Sequence, residues 1–360
     1  MLPLYVHELD GSPLEVALVF SVFSAISIIS YPLWGSLSDY LRKRKIFIIF
    51  GMGALTLVFI LMAFQKDVIT LILLRGSTAI FKGAVVPTTL ALVSDLSPHE
   101  KTGENMGFLG SIEMAGWAFG PVLGGLITDA YSFTTLWIFV AAECLVGSII
   151  FLFLGSDPPI SSHDAKTRFF ESYRKPTLIS KISGLSISFA IFLLGFSLLG
   201  PNLNIYLFSN LKFSKTMIGT LSFIGSGFTL LIQPIIGSYS DRYGRRIFLV
   251  FSAINLALGN VFLFLANNLF MAIIAEMLIR NYAIFNLIGS AYITDVVPQQ
   301  DKSASLGFLN SIGAISRSLG AIIGGFIIDL TNIRTIILIS SIFPASSVII
   351  ILLLVKEIKK

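Results

Sequence analysis

Eleven apolar stretches, each near the length that crosses a lipid bilayer, follow one another along this chain and leave little room for anything else. A helix needs about 20 mainly apolar residues to traverse the ~30 Å hydrocarbon layer. Candidates lie at 14–34, 46–64, 68–93, 105–128, 133–154, 182–208, 216–236, 247–265, 269–294, 305–328 and 335–355. Only 12% of the 360 residues are charged and 55% are hydrophobic, whereas about a quarter of a soluble domain is charged. So little charge cannot cover a wet surface. The expected fold class is therefore all-α integral membrane, with lipid as the solvent.

One long polar segment interrupts the series, SDPPISSHDAKTRFFESYRKPT from Ser156. Asp157-Pro158-Pro159 stops the preceding helix, because proline lacks an N–H and biases its neighbour away from helical geometry. The reading is an N-terminal bundle at 1–155, a cytoplasmic linker at 156–181 and a C-terminal bundle at 182–360. With the cluster Arg42–Lys45 set inside, seventeen of the 25 Lys and Arg fall on that side. Lys66, Lys212, Lys215 and Arg334 fall outside and four lie within spans. This is the positive-inside pattern. It implies a multi-pass protein of the plasma membrane with a cytoplasmic C-terminus, and it accounts for the net charge of +5 without nucleic acid.

The chain also repeats itself. GSLSDYLRKRK at 35–45 and GSYSDRYGRRI at 237–247 begin alike and end in positive charge. Residues 93–129 align with 293–329 at a constant offset of 200, matching Asp95 to Asp295, Pro98 to Pro298 and Asp129 to Asp329. Six spans separate the two opening motifs, so both fall on one side of the membrane. Transporters are often built from such repeats, with the substrate held between them near mid-bilayer.

On these motifs the chain resembles the major facilitator superfamily of transporters, which implies a two-bundle helical fold. That family's loop motif, Gly-x-Leu-x-Asp-Arg-x-Gly-Arg-Arg, matches Gly237, Asp241, Arg242, Gly244, Arg245 and Arg246, with Tyr239 in place of Leu. The first copy keeps Gly35, Leu37 and Asp39 but has Tyr40 and Arg42 where Arg and Gly are expected. The resemblance implies a conformational latch formed by Gly35, Asp39, Arg42, Asp95, Gly237, Asp241, Arg242 and Arg245. Small residues there let a neighbouring helix approach, and the carboxylates pair with arginines or a helix N-terminus. In the second half a full span precedes the helix leading into Gly237, while only thirteen residues precede the one leading into Gly35. LPLYVHELDGSP is thus expected to be the tail of a first helix plus its outer loop, giving eleven spans with the family's first helix absent.

Gly116, Gly120, Pro121, Gly124 and Gly125 match the Gly-x-x-x-Gly-Pro-x-x-Gly-Gly pattern of the fifth helix in the superfamily's drug/proton antiporters. Four glycines clear one face so that another helix can slide against it, and the proline permits a bend. The second copy keeps Gly320, Gly324 and Gly325 but has Ser316 and Ala321. Arg75 stands where the family often has an arginine in its fourth helix, but Thr78 and Ala79 replace the Gln-Gly that follows there.

Charge inside a span is costly and marks a functional position by default. Seven such residues occur: Arg75, Lys82, Glu113, Glu143, Glu276, Arg280 and Arg317. Glu276 and Arg280, four apart, are placed to pair on one helix face. Lys82 and Glu143 lie deepest by count and are the expected cavity residues, and Glu143 or Glu113 is the expected proton carrier. The leading function is proton-coupled efflux of amphipathic, drug-like compounds by a monomer using alternating access. The alternatives are proton-coupled uptake or exchange of a small organic anion or sugar, and a truncated, non-transporting remnant. No enzyme, cofactor or metal site is expected: Cys144 is alone, His7, His99 and His163 lie in loops, and no phosphate loop or nucleophile elbow is present.

Overall fold

In a computed structural model the described residues are 1–41, 43–98, 101–157, 176–298 and 302–357. Among them there are helices and no strand. The first half holds α1 (Leu2–Glu8), α2 (Pro13–Leu41), α3 (Arg44–Ala63), α4 (Val68–Leu96), α5 (Thr102–Ala130) and α6 (Phe133–Leu154). The second holds α7 (Pro176–Leu199), a 3-10 turn (Gly200–Asn202), α8 (Leu203–Ser209), α9 (Lys215–Tyr243), α10 (Arg245–Leu265), α11 (Leu269–Arg280), α12 (Tyr282–Val296), α13 (Lys302–Leu330) and α14 (Ile333–Leu354). Setting the seven-residue α1 aside and counting α7–α8 and α11–α12 as single interrupted rods gives eleven rods. Ten are apolar and long enough to cross a membrane. The eleventh, α5, has the same 29 residues as α2, but its glycines together with Glu104 and Glu113 dilute its hydropathy. Most of the expected linker lies outside the described residues, and α7 begins at Pro176, six residues before the expected start.

Local chemistry explains where the helices begin. Ser12 and Glu15 form a reciprocal capping box at α2: Ser12 N–H donates to Glu15 Oε2 at 2.8 Å and Glu15 N–H donates to Ser12 Oγ at 3.2 Å. Ser214 caps α9 by accepting from Met217 N–H at 3.1 Å. Asp67 and Asn268 cap α4 and α11, while Ser132 and Asn332 cap α6 and α14. Each cap satisfies an N–H that the first helical turn leaves without a partner.

The halves are built alike down to single hydrogen bonds. Tyr5 of α1 donates to Met62 O at 3.0 Å and Gln65 O at 2.9 Å, and Tyr206 of α8 donates to Leu263 O at 3.3 Å. The turns that follow close through Asp10 (φ 57°) and Lys212 (φ 59°). α1 is thus the counterpart of α8, which is where the repeat offset puts LPLYVHE. One clear difference is that α4 is continuous, whereas its counterpart breaks at Asn281. That buried residue is pinned on both sides, accepting from Thr229 Oγ1 at 3.2 Å through its side chain and from Ser252 Oγ at 3.0 Å through its carbonyl.

Candidate functional site

Each half carries one arginine-centred ion cluster at the end where the basic residues gather, here called the basic end. Arg245 pairs with Asp241 and, at 2.9 Å, with Asp295, and donates to Ser240 Oγ at 2.6 Å. Arg44 does the same in the first half, pairing with Asp39 at 2.5 Å and Asp95 at 3.2 Å, and donating to Ser38 Oγ at 2.7 Å. Each cluster joins three helices of its own half: α2, α3 and α4, or α9, α10 and α12. Arg44, not Arg42, is therefore the counterpart of Arg245, because the repeat offset is 201 at this point. Arg42 itself lies outside the described residues, and Arg242 is exposed in the last turn of α9. A Cβ at Gly35 or Gly237 would sit 3.8 Å from its nearest neighbour, so neither glycine marks a tight helix crossing here.

The halves meet at the opposite, far end. A Cβ on Gly125 would come within 2.5 Å of Lys215 O, and one on Gly325 within 2.7 Å of Pro13 O. Only a glycine allows helix backbones that close. One turn further, Asp129 accepts from Lys215 N–H at 3.2 Å and Thr216 N–H at 2.7 Å. Its counterpart Asp329 accepts from Leu14 N–H at 3.3 Å. Each half thus supplies a carboxylate to the N-terminus of a helix of the other half, where the helix dipole favours negative charge. Lys215 adds an ion pair with Glu8 at 3.0 Å.

Deeper in, the cross-half contacts include Ser21 Oγ donating to Ser318 O at 3.1 Å and Phe119 packing on Phe223 at 5.1 Å between ring centres. Beyond them the same helices expose their apolar side chains: Leu33 and Leu37 on α2, Phe108 and Ile112 on α5, Leu231 and Ile235 on α9. Beneath the far-end contacts lies a cavity of about 340 Å³ lined from both halves, by Phe20, Arg75 and Trp117 on one side and Ser222, Asn260 and Arg280 on the other.

The charged candidates divide into two groups around this cavity. Arg75 donates to Thr78 Oγ1 at 3.3 Å and lies 4.2 Å over the Phe23 ring, with Lys82 5.7 Å from the same ring. Glu113 is exposed and within electrostatic reach of Lys82 and Tyr31. In the other half Arg280 pairs with the fully buried Glu276 at 3.0 Å and donates to Ser222 Oγ at 2.9 Å. Arg317 shares the neighbourhood of Tyr282 with Arg280. Lys82 and Glu143, expected to line the cavity, do not: the cavity wall holds Arg75 and Arg280, and Glu143 is exposed on α6. Counting residues along a span gives depth, but the side on which a residue emerges depends on how the helix is packed.

The glycine motif of α5 also divides. Gly125 faces α9, and Pro121 O lies where a Cβ on Gly219 would be, 2.2 Å away. Gly124 faces Met1, whereas Cβ positions on Gly116 and Gly120 have no atom within 4 Å. Three residues with a structural part went unselected in the sequence: Arg44, Asp129 and Asp329. Asp129 and Asp329 were legible as a matched pair in the repeat, whereas Arg44 falls opposite Arg246, not Arg245, in the aligned motifs.

The Major Facilitator Superfamily profile matches residues 1–184 and again 185–360. Multidrug resistance protein MdtG of Proteus mirabilis is 28% identical over 266 residues, which is 70% of this chain and 64% of that relative. The chain thus covers just under two thirds of the MdtG length. The uncharacterized MFS-type transporter YuxJ of Bacillus subtilis is 26% identical over 330 residues, covering 86% and 80%. Among solved structures, nucleoside transporter NupG aligns at TM-score 0.80 and 14% identity over 98% of this chain and 93% of its own. A bacterial homologue of the human lysosomal transporter Spinster, inward-facing and unoccupied, aligns at 0.76 and 15% identity over 98% and 91%. The two solved structures establish the fold, and all four proteins are named as transporters or resistance proteins rather than enzymes. With both halves matched by its profile, the chain belongs to the Major Facilitator Superfamily.

Proposed function

We propose that the protein is a secondary transporter that expels amphipathic, drug-like compounds from the cell in exchange for protons, working as a monomer of the plasma membrane by alternating access. The observation that carries this reading is the cavity: both halves line it, and reciprocal contacts shut the end of the molecule opposite the basic residues. The positive-inside rule puts the basic end in the cytoplasm, so this state receives compounds from inside. The Arg44 and Arg245 clusters each bind three helices of one half, which suits halves that rock as rigid bodies. The transition then consists of breaking the Asp129, Asp329 and Lys215 contacts and closing the basic end.

Export rather than import is supported by the glycine–proline pattern of α5 and by the name of the MdtG relatives. Glu113 is the carboxyl we assign to the coupled proton. It is exposed beside Lys82, whereas Glu276 is committed to Arg280. Everted membrane vesicles with an acidified lumen test this reading. Adding tetraphenylphosphonium or 2-naphthoate should release protons, read by a pH-sensitive dye, and Glu113→Gln should abolish the release. Release no greater than in vesicles lacking the protein overturns the proposal.

A further inference from the structure

The cavity between the halves has an uneven charge inventory. Two cationic side chains line it, Arg75 and Arg280, together with Met1, whose α-amino group is within electrostatic reach of Arg280, and among the described residues no carboxylate is part of the lining. Glu276 is consumed by Arg280 at 3.0 Å. Among the described residues neither Arg75, Lys82 nor Arg317 has a carboxylate within ion-pairing distance. Arg75 is the most exposed to this imbalance. It lines the cavity, its Nε is buried without an acceptor, and the partners it does have are a threonine hydroxyl and the face of Phe23. Uncompensated cations at this depth are expensive, so an arrangement that keeps them gains from a ligand that brings the missing charge.

The rest of the lining sets the ligand's other end. Phe20, Trp117 and Phe196 line the same cavity with aromatic surface, and Asn204, Asn260 and Ser222 add uncharged hydrogen-bonding groups. A guanidinium offers a planar fork of donors that matches carboxylate, phosphonate or sulfonate oxygens, and about 340 Å³ holds one aromatic molecule of small drug size. We infer that the cavity selects amphipathic anions: an aromatic or aliphatic body among the rings, and an acidic head between Arg75 of the first half and Arg280 of the second. An anion bridging arginines from both halves also couples them, because its two contacts belong to two bodies that move relative to each other. This inference rests on the transport reading above and narrows its substrate class.

The test is equilibrium binding of radiolabelled 2-naphthoate and of tetraphenylphosphonium to the purified full chain in detergent. The expected result is saturable 2-naphthoate binding, tighter than that of the cation. Arg75→Gln should weaken it roughly tenfold or more, as loss of a charge-assisted contact does, while Arg75→Lys recovers most of it and the affinity for the cation does not fall. Size-exclusion profiles identify variants that have lost their fold, and the lysine variant keeps the inference open to refutation if the glutamine variant has. Equal or tighter binding of tetraphenylphosphonium by the unaltered protein, or unchanged 2-naphthoate affinity in folded Arg75→Gln, overturns it. Naphthoate binding without proton release in vesicles refutes the transport reading and leaves the anion site standing. Proton release with the cation alone does the reverse.

Discussion

In the second half α7 lies against α13 and α14, and its backbone closes over two glycines: Cβ atoms on Gly320 and Gly324 would meet Leu194 O at 2.5 Å and Leu198 O at 1.8 Å. In the first half the matching positions, Gly120 and Gly124, face open space and Met1. The same small-residue pattern is therefore a filled helix seat in one half and a largely open face in the other. The lesson is about what the pattern encodes. A glycine stripe on a membrane helix states that a backbone fits closely there. It does not state which helix, nor whether the contact slides. Gly125 and Gly325, one residue beyond the stripe, are the pair that meets the opposite half.

The strongest way to break this comparison is to put the same bulk on both faces. Gly324→Leu drives a side chain into the Leu198 carbonyl and should destabilise the purified protein by about 3 kcal/mol or prevent folding, whereas Gly120→Leu should change thermal unfolding by less than about 0.5 kcal/mol. Equal losses would mean that α5 is packed as tightly as α13. A smaller contrast separates the two ion clusters. Asp295 is 10% exposed where its counterpart Asp95 is 38% exposed, while Asp241 and Asp39 are alike at 54%. Arg245→Ala takes a charge partner from the largely buried carboxylate of Asp295 and should cost about 3 kcal/mol in chemical denaturation. Arg44→Ala, whose partners keep their water, should cost about 1 kcal/mol. If the two variants unfold alike, burial is not what sets the strength of these clusters.

The far-end contacts sharpen the comparison further. Asp129 accepts two backbone N–H groups of α9, and Asp329 is recorded accepting one, from Leu14 at the start of α2. Asp129→Asn removes a charge from a helix N-terminus, worth about 1 kcal/mol, so the population with separated far ends should rise roughly five-fold. Asp329→Asn should produce about half that energy. Distance distributions between spin labels at the far ends of α5 and α9, and of α13 and α2, read both. A larger response at Asp329 would reverse the expected asymmetry of the gate.

Much of the fold was legible because a bilayer imposes strict lengths. The runs of about 20 apolar residues and the Asp157-Pro158-Pro159 stop are local features, and the helices accordingly begin or end near them. The repeat was legible for the same reason: matched glycine–serine–aspartate motifs and matched carboxylates recur at a nearly constant spacing. Orientation of side chains about each helix was not legible. In a soluble helix the buried face is the apolar one, but here lipid and protein interior are both apolar. Hence Lys82 and Glu143, chosen by depth, gave way to Arg75 and Arg280 at the cavity wall.

By itself, then, the sequence determined eleven rods, their two-fold repetition, the end at which positive charge collects and the residue types available for pairing. All of these follow from backbone hydrogen bonding, bilayer thickness and local capping, which act over a few residues. Tertiary structure alone decided that Arg44 takes the place of Arg245 in the first half, that Asp129 and Asp329 reach across to the other half's helices, and that Arg75, without a carboxylate partner, shares the cavity wall with Arg280, which is paired. Those outcomes depend on helix rotation and close backbone approach between segments up to about 300 residues apart, and no short-range rule reads them.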